Sequence, residues 1–141
     1  MSKFLISPLL IFSLFFIILG LHILAMIFGW YWSIPNFDNV HHFLGGFWSI
    51  AIFFHFLKNR PGLFDPLGNF WATLIFGLGF AALAGTAWEF FEFSIDQIFV
   101  IGEISPVAQL GLRDTMGDLF FDFLGGLVFV VAFFSSSRRN D

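Results

Sequence analysis

Asp114, Asp118 and Asp122 recur every fourth residue in the stretch RDTMGDLFFDFLGG, residues 113–126. On an α-helix residues so spaced share one face, and the run around them is otherwise apolar. Two further groups have the same character: Glu89, Glu92 and Asp96 in one stretch, Asp38, His41 and His42 in another. Carboxylate oxygens mixed with one or two imidazoles suit Zn²⁺, Mn²⁺ or Fe²⁺, whereas carboxylates alone suit Mg²⁺ or Ca²⁺. The expected metal ligands are Glu89, Glu92, Asp118, Asp122, Asp114 and His41, with His41 or His42 as the general acid or base. His41 is preferred over His42 for facing the site, because adjacent helical residues point about 100° apart. Protons or a cationic substrate would also neutralise such a cluster. The spacing names no particular metal: Glu89-Phe-Phe-Glu92 lacks the Glu-x-x-His pairs of di-iron bundles, and no H-E-x-x-H occurs.

The elements that must position these residues are membrane spans. Of 141 residues, 58% are hydrophobic and 11% charged, more apolar surface than so small a soluble domain can bury. The mean hydropathy is +0.88. The chain has no cysteine, which excludes disulfides, thiolate metal sites and thiol redox chemistry. A net charge of −4 with no basic stripe excludes nucleic acid as a partner. The 25 Phe residues are expected to face lipid and pack between helices.

Apolar runs predict an all-α, polytopic bundle of four transmembrane helices over about 4–29, 40–57, 69–96 and 114–134, within one integral membrane domain covering residues 1–141. The first run is too long for a signal peptide, and no A-x-A site follows it. Trp30, Tyr31 and Trp32 form an interfacial aromatic cluster. Asp65 followed by Pro66 is a helix-start signature. Gly77, Ala81 and Gly85 make a small-residue seam for close helix packing. Residues 101–112 read as a loop long enough to fold over the site.

Four crossings put Lys3, Lys58, Arg60, Arg138 and Arg139 on one side, which the positive-inside rule makes cytoplasmic. Both termini would then be cytoplasmic, in a multi-pass protein of the cell inner membrane. The nine residues Asp38, His41, His42, Glu89, Glu92, Asp96, Asp114, Asp118 and Asp122 would all gather at the outer face. Asp122 lies about 12 Å along its helix from Asp114. A charged acid at that depth costs on the order of 3 kcal/mol unless paired or solvated. Arg113 is the one permanent cation nearby and cannot balance so many carboxylates.

A plainer account exists for each residue. Asp38 and Asp114 occupy positions suited to N-caps; Asp96 and Glu103 are expected to be wet. Glu89, Glu92, Asp118 and Asp122 could form a hydrogen-bond network that only locks helices together. His22 is near enough to reach the site, and His55 lies at the opposite end, snorkelling or hydrogen-bonded. A haem between His22 and His41 or His42 suits so acidic a surrounding poorly.

NVHHFLGGF (39–47), AWEFFEF (87–93) and RDTMGDLFFDFLGGL (113–127) together resemble the YjdF-like bacterial inner-membrane family, and are more distantly similar to the VanZ-like family associated with teicoplanin resistance. The resemblance spans roughly residues 38–127. Its His-Phe pair is matched by His42 and Phe43, its glutamate-rich aromatic motif by Glu89 and Glu92, and its D-T-x-G-D-x-x-x-D segment by Asp114, Thr115, Gly117, Asp118 and Asp122. Relative to longer relatives, this chain is expected to lack extra N-terminal helices. The resemblance implies an integral membrane protein without an assigned activity.

Two kinds of function, and a plainer third, follow. The first is a metal-dependent enzyme acting on a lipid headgroup or lipid-linked phosphate. The second is a cation-binding or transport component, for which a through-path would need a homo-oligomer. The third is an accessory subunit whose acids serve structure alone.

Overall fold

The computed structural model describes residues 6–60, 68–99 and 108–137. Lys3, Arg138 and Arg139, the Asp65-Pro66 signature, Glu103 and residues 101–107 of the predicted loop lie outside them. Among the described residues the five elements are all helices: α1 (Pro8–Phe28), α2 (Trp30–Ser33), α3 (Asp38–Lys58), α4 (Phe70–Phe99) and α5 (Leu112–Ser137). No strand occurs among the described residues. Four of these helices are long and apolar enough to cross a membrane, as expected; only α2 is not.

Local chemistry sets the helix ends. Ser7 accepts the Leu10 N–H (3.3 Å) at the start of α1, with Pro8 at the first helical position where its missing N–H costs nothing. Gly29, at φ +67°, closes α1 in the left-handed conformation that glycine adopts without strain. Asn69 caps α4 by accepting the Ala72 N–H at 3.1 Å, and Gly111, at φ +113°, precedes α5. The helices outrun the apolar runs: α4 continues to Phe99 and α5 starts at Leu112, so the acids near their ends sit on helix rather than in loops.

The chain folds as a hairpin series. α1 and α3 are antiparallel, since the Trp48 indole donates to the Ile11 carbonyl (2.9 Å) and His55 Nδ1 meets the Ile6 carbonyl (2.7 Å). α4 returns antiparallel to α3, stacking Phe80 on Phe53. α5 then runs beside both, parallel to α3, and these two share the largest interface. That interface is close because Gly46 and Gly125 have no side chain. A Cβ on Gly46 would collide with the Asp122 backbone, and one on Gly125 with the Phe43 carbonyl.

The predicted seam on α4 also packs inward. Gly77 faces Phe54 and Ile50, and Ala81 is fully buried. The apolar core, with Ile50, Phe54, Phe129 and Val130 all fully buried, fills one half of the α3–α4–α5 bundle. Large apolar side chains such as Phe12, Phe16, Leu83 and Phe90 are more than half exposed, a surface suited to lipid rather than water. The other half of the bundle core is polar.

Candidate functional site

The polar half is assembled by helix direction. α3 and α5 begin where α4 ends, so the first turns of two helices and the last turns of the third meet at one end of the bundle. Asp38, Glu89, Glu92, Asp114, Asp118 and Asp122 gather there with His42. Glu89, Asp118, Asp122 and His42 are 1–6% exposed, the deepest of the set.

His42 is the hub. Its Nδ1 lies 3.2 Å from Asp122 Oδ2; the carboxylate can only accept, so Nδ1 carries the proton and donates. Nε2 then points to the remaining acids, 3.8 Å from Asp118 Oδ1 and 4.0 Å from Asp38 Oδ2. Asp122 reaches this position because Gly85 of α4 has no Cβ to collide with its Oδ2.

Glu89 is fastened in a comparable way. Its Oε2 accepts the Thr115 hydroxyl at 2.8 Å and the Gln109 side-chain amide at 3.2 Å. Asp96 in turn accepts the backbone N–H groups of Ala108 and Gln109, each at 2.9 Å. It therefore anchors the residues preceding α5 rather than standing free in water. Asp114 accepts the Leu110 N–H at 3.2 Å, a capping role consistent with its place in the first turn. Asp38 makes no side-chain cap; the residue at the N-cap of α3 is Phe37. Glu92 accepts the Trp88 indole N–H at 2.9 Å.

With these partners assigned, specific atoms are left bare. His42 Nε2, Glu89 Oε1 and Asp118 Oδ1 are buried and have no hydrogen-bond partner among the described residues; outside the cluster the same holds for both ring nitrogens of His41. A buried polar group left unsatisfied costs about 1–3 kcal/mol, more when charged. Three sets of residues can each bring one ligand atom apiece within 4.8 Å of one another: His42, Glu89 and Asp118; Asp38, His42 and Glu92; and Asp38, Asp114 and Asp118.

The structure brings together Glu89, Glu92, Asp114, Asp118, Asp122 and His42, and sets His41 apart. The expectation that His41 faces the acids is corrected in favour of His42. The physical reason is the 100° step between neighbours: with His42 turned to α5, His41 turns toward α1 and α2. There its ring lies 5.3 Å from Tyr31, 5.4 Å from Phe37 and 6.1 Å from His22 by centroids. Asp122 is also drawn to one side, facing His42 Nδ1 and appearing in none of the three sets. His22 pairs with the Tyr31 hydroxyl at 2.7 Å, and His55, at the far end, is hydrogen-bonded as expected.

Sequence reasoning missed Gln109 and Thr115, which carry no charge to draw notice. The signal available was position: Thr115 follows Asp114 and so begins a second stripe on α5 facing α4. Arg113 is exposed, and among the described residues it is the only lysine or arginine at this end of the bundle.

Fold and cluster together define a polytopic helical membrane protein with a polar site built into one end of its bundle. The chain belongs to a family described as predicted membrane protein, DUF2238, whose match covers residues 2–139. That is the YjdF family, in agreement with the likeness carried by the three motifs, whereas nothing in the comparisons supports the VanZ-like likeness. A protein of Thermotoga maritima, named only as an uncharacterized protein, is 31% identical over 103 residues, which cover 73% of this chain and 50% of that protein. The chain thus spans about half the length of this relative. No solved structure matches it.

Proposed function

We propose that the chain holds a divalent metal ion between His42, Glu89 and Asp118 and uses it on the phosphate group of a lipid at the membrane face. One observation carries this reading. Each of two ligand candidates is fastened through one atom and bare at the other: His42 by Asp122, Glu89 by Thr115 and Gln109. A network serving packing alone does not require His42, Glu89 and Asp118 each to bring a ligand atom within 4.8 Å of the others. Metal-ligating histidines characteristically donate their second ring nitrogen to a carboxylate.

An ion so placed would polarise a phosphoryl oxygen and lower the pKa of a bound water. His42 as a ligand through Nε2 is then unavailable as the general acid or base. Glu92, which groups with Asp38 and His42, is the carboxylate left to take a proton. Orientation by the positive-inside rule would open the site to the exterior. A transport role is less well supported, since every described Asp and Glu lies at the same end and none marks a path through the bundle.

The test is metal content of the purified full chain after chelation and reloading with Mn²⁺ or Zn²⁺. Wild type is expected to bind, Glu89→Gln and Asp118→Asn to lose the ion, and His41→Gln to retain it. A folded wild type that binds neither metal would leave the structural-network reading in its place. Phosphate release from phosphatidic acid against a polyprenyl phosphate, both in vesicles, would separate a headgroup from a lipid-linked substrate.

A further inference from the structure

The three residue sets overlap, and the overlap limits how they can be used together. His42 has one free ring nitrogen, because Nδ1 is committed to Asp122 at 3.2 Å. It can therefore serve a single ion, either with Glu89 and Asp118 or with Asp38 and Glu92. Whichever it serves, the third set, Asp38, Asp114 and Asp118, does not need it.

An acidic triplet alone says little. Here one member, Asp118, is 1% exposed and carries a buried Oδ1 with no hydrogen-bond partner among the described residues. A carboxylate with two oxygens can accept from two directions at once, so a single Asp118 can be shared by two ions. Asp114 commits Oδ2 to the Leu110 N–H and keeps its other oxygen. Charge points the same way. Asp38, Glu89, Glu92, Asp114, Asp118 and Asp122 carry six negative charges when ionised; one dication leaves four of them to other partners and two dications leave two.

We infer that Asp38, Asp114 and Asp118 form a second, all-oxygen cation site, joined to the His42–Glu89–Asp118 site by the shared Asp118 carboxylate. The inference rests on the metal reading above and deepens it. The all-oxygen site suits a hard ion such as Mg²⁺ or Mn²⁺, and the site containing the imidazole also suits Zn²⁺. Paired ions bridged by a carboxylate clamp the attacking and leaving oxygens of a phosphoryl group. The ligand class is therefore a phosphate ester rather than a neutral headgroup.

The test loads the full chain in detergent with Mn²⁺, counts ions per chain and records the electron paramagnetic resonance spectrum. Wild type is expected to hold two ions with the broadened spectrum of a coupled pair. Asp38→Asn and, independently, Asp114→Asn are expected to drop the count to one and give the six-line spectrum of an isolated ion. Circular dichroism checks that each variant stays helical. One ion in wild type, unaffected by Asp38→Asn, overturns the second site and leaves the first standing. Two uncoupled ions, or two retained in both Asp variants, overturn the shared carboxylate. No ion in folded wild type removes the first reading and this one with it.

Discussion

His42 Nδ1 meets Asp122 Oδ2 at 3.2 Å across the α3–α5 interface, and this contact decides which way the imidazole faces. With Nδ1 held, Nε2 is aimed at Asp118 and Asp38. Asp122 is thus a positioning residue, eight positions after Asp114 on the same stripe yet serving the ring rather than an ion. Asp122→Asn is expected to weaken Mn²⁺ or Zn²⁺ binding by about 10–100-fold without unfolding the chain, the usual cost of losing such a partner. Titration calorimetry on wild type and variant checks it; equal affinities would show that the ring needs no such guide.

Thr115 and Glu89 form the corresponding contact between α5 and α4, the hydroxyl donating to Oε2 at 2.8 Å. Thr115→Val keeps the shape and removes the donor. A hydrogen bond to a charged group is worth about 1.5 kcal/mol or more, so metal affinity is expected to fall roughly tenfold, and Thr115→Ser to restore most of it. If Thr115→Val binds the ion as wild type does, Gln109 alone suffices to hold Glu89.

Much of this is legible in the sequence alone. Apolar runs marked all four spans because lipid demands about 20 apolar residues per crossing whatever they pack against. The alternation of spans then put the acids of residues 38–42, 89–96 and 114–122 at one end. Side-chain direction was less legible. The choice between His41 and His42 turns on a rotation of about 100°, and only the docking of α3 on α5 fixes it. That docking is governed by Gly46 and Gly125, whose importance comes from what approaches them. Gln109 and Thr115 escaped for a related reason: their role exists only once α4 and the start of α5 are side by side.

Tyr31 is the chain's one tyrosine, so absorbance near 295 nm reads its ionisation alone. It lies on α2, between the spans, with its hydroxyl on His22 Nδ1 at 2.7 Å. Burial pushes its phenol above the ordinary value, and the charges of Asp38 and Glu92 add to the effect. The neutral form is the favoured one in the folded chain. Stability from this group is therefore complete below the unfolded value of about 10 and declines as pH rises beyond it. The titration midpoint is expected above about 10 and to move back down in Asp38→Asn. A midpoint at the free-tyrosine value would place the ring in water.

The glycines allow a test of whether fold and site depend on the same contact. A Cβ on Gly46 would collide with the backbone of Asp122, whereas Gly79 of α4 has nothing within 4 Å. Gly46→Ala must push α5 away from α3, at a cost of about 1–3 kcal/mol for overpacking. The same displacement would carry Asp122 away from His42. Gly46→Ala is therefore expected to lower the melting temperature in detergent and weaken metal binding together. Gly79→Ala should leave binding unchanged and be neutral or mildly stabilising, since alanine is the better helix former by about 1 kcal/mol. If Gly46→Ala destabilised the bundle but left metal affinity intact, the His42–Asp122 contact would not be what holds the imidazole in place. A loss of binding in Gly79→Ala as well would mean that affinity tracks general helix stability rather than this interface.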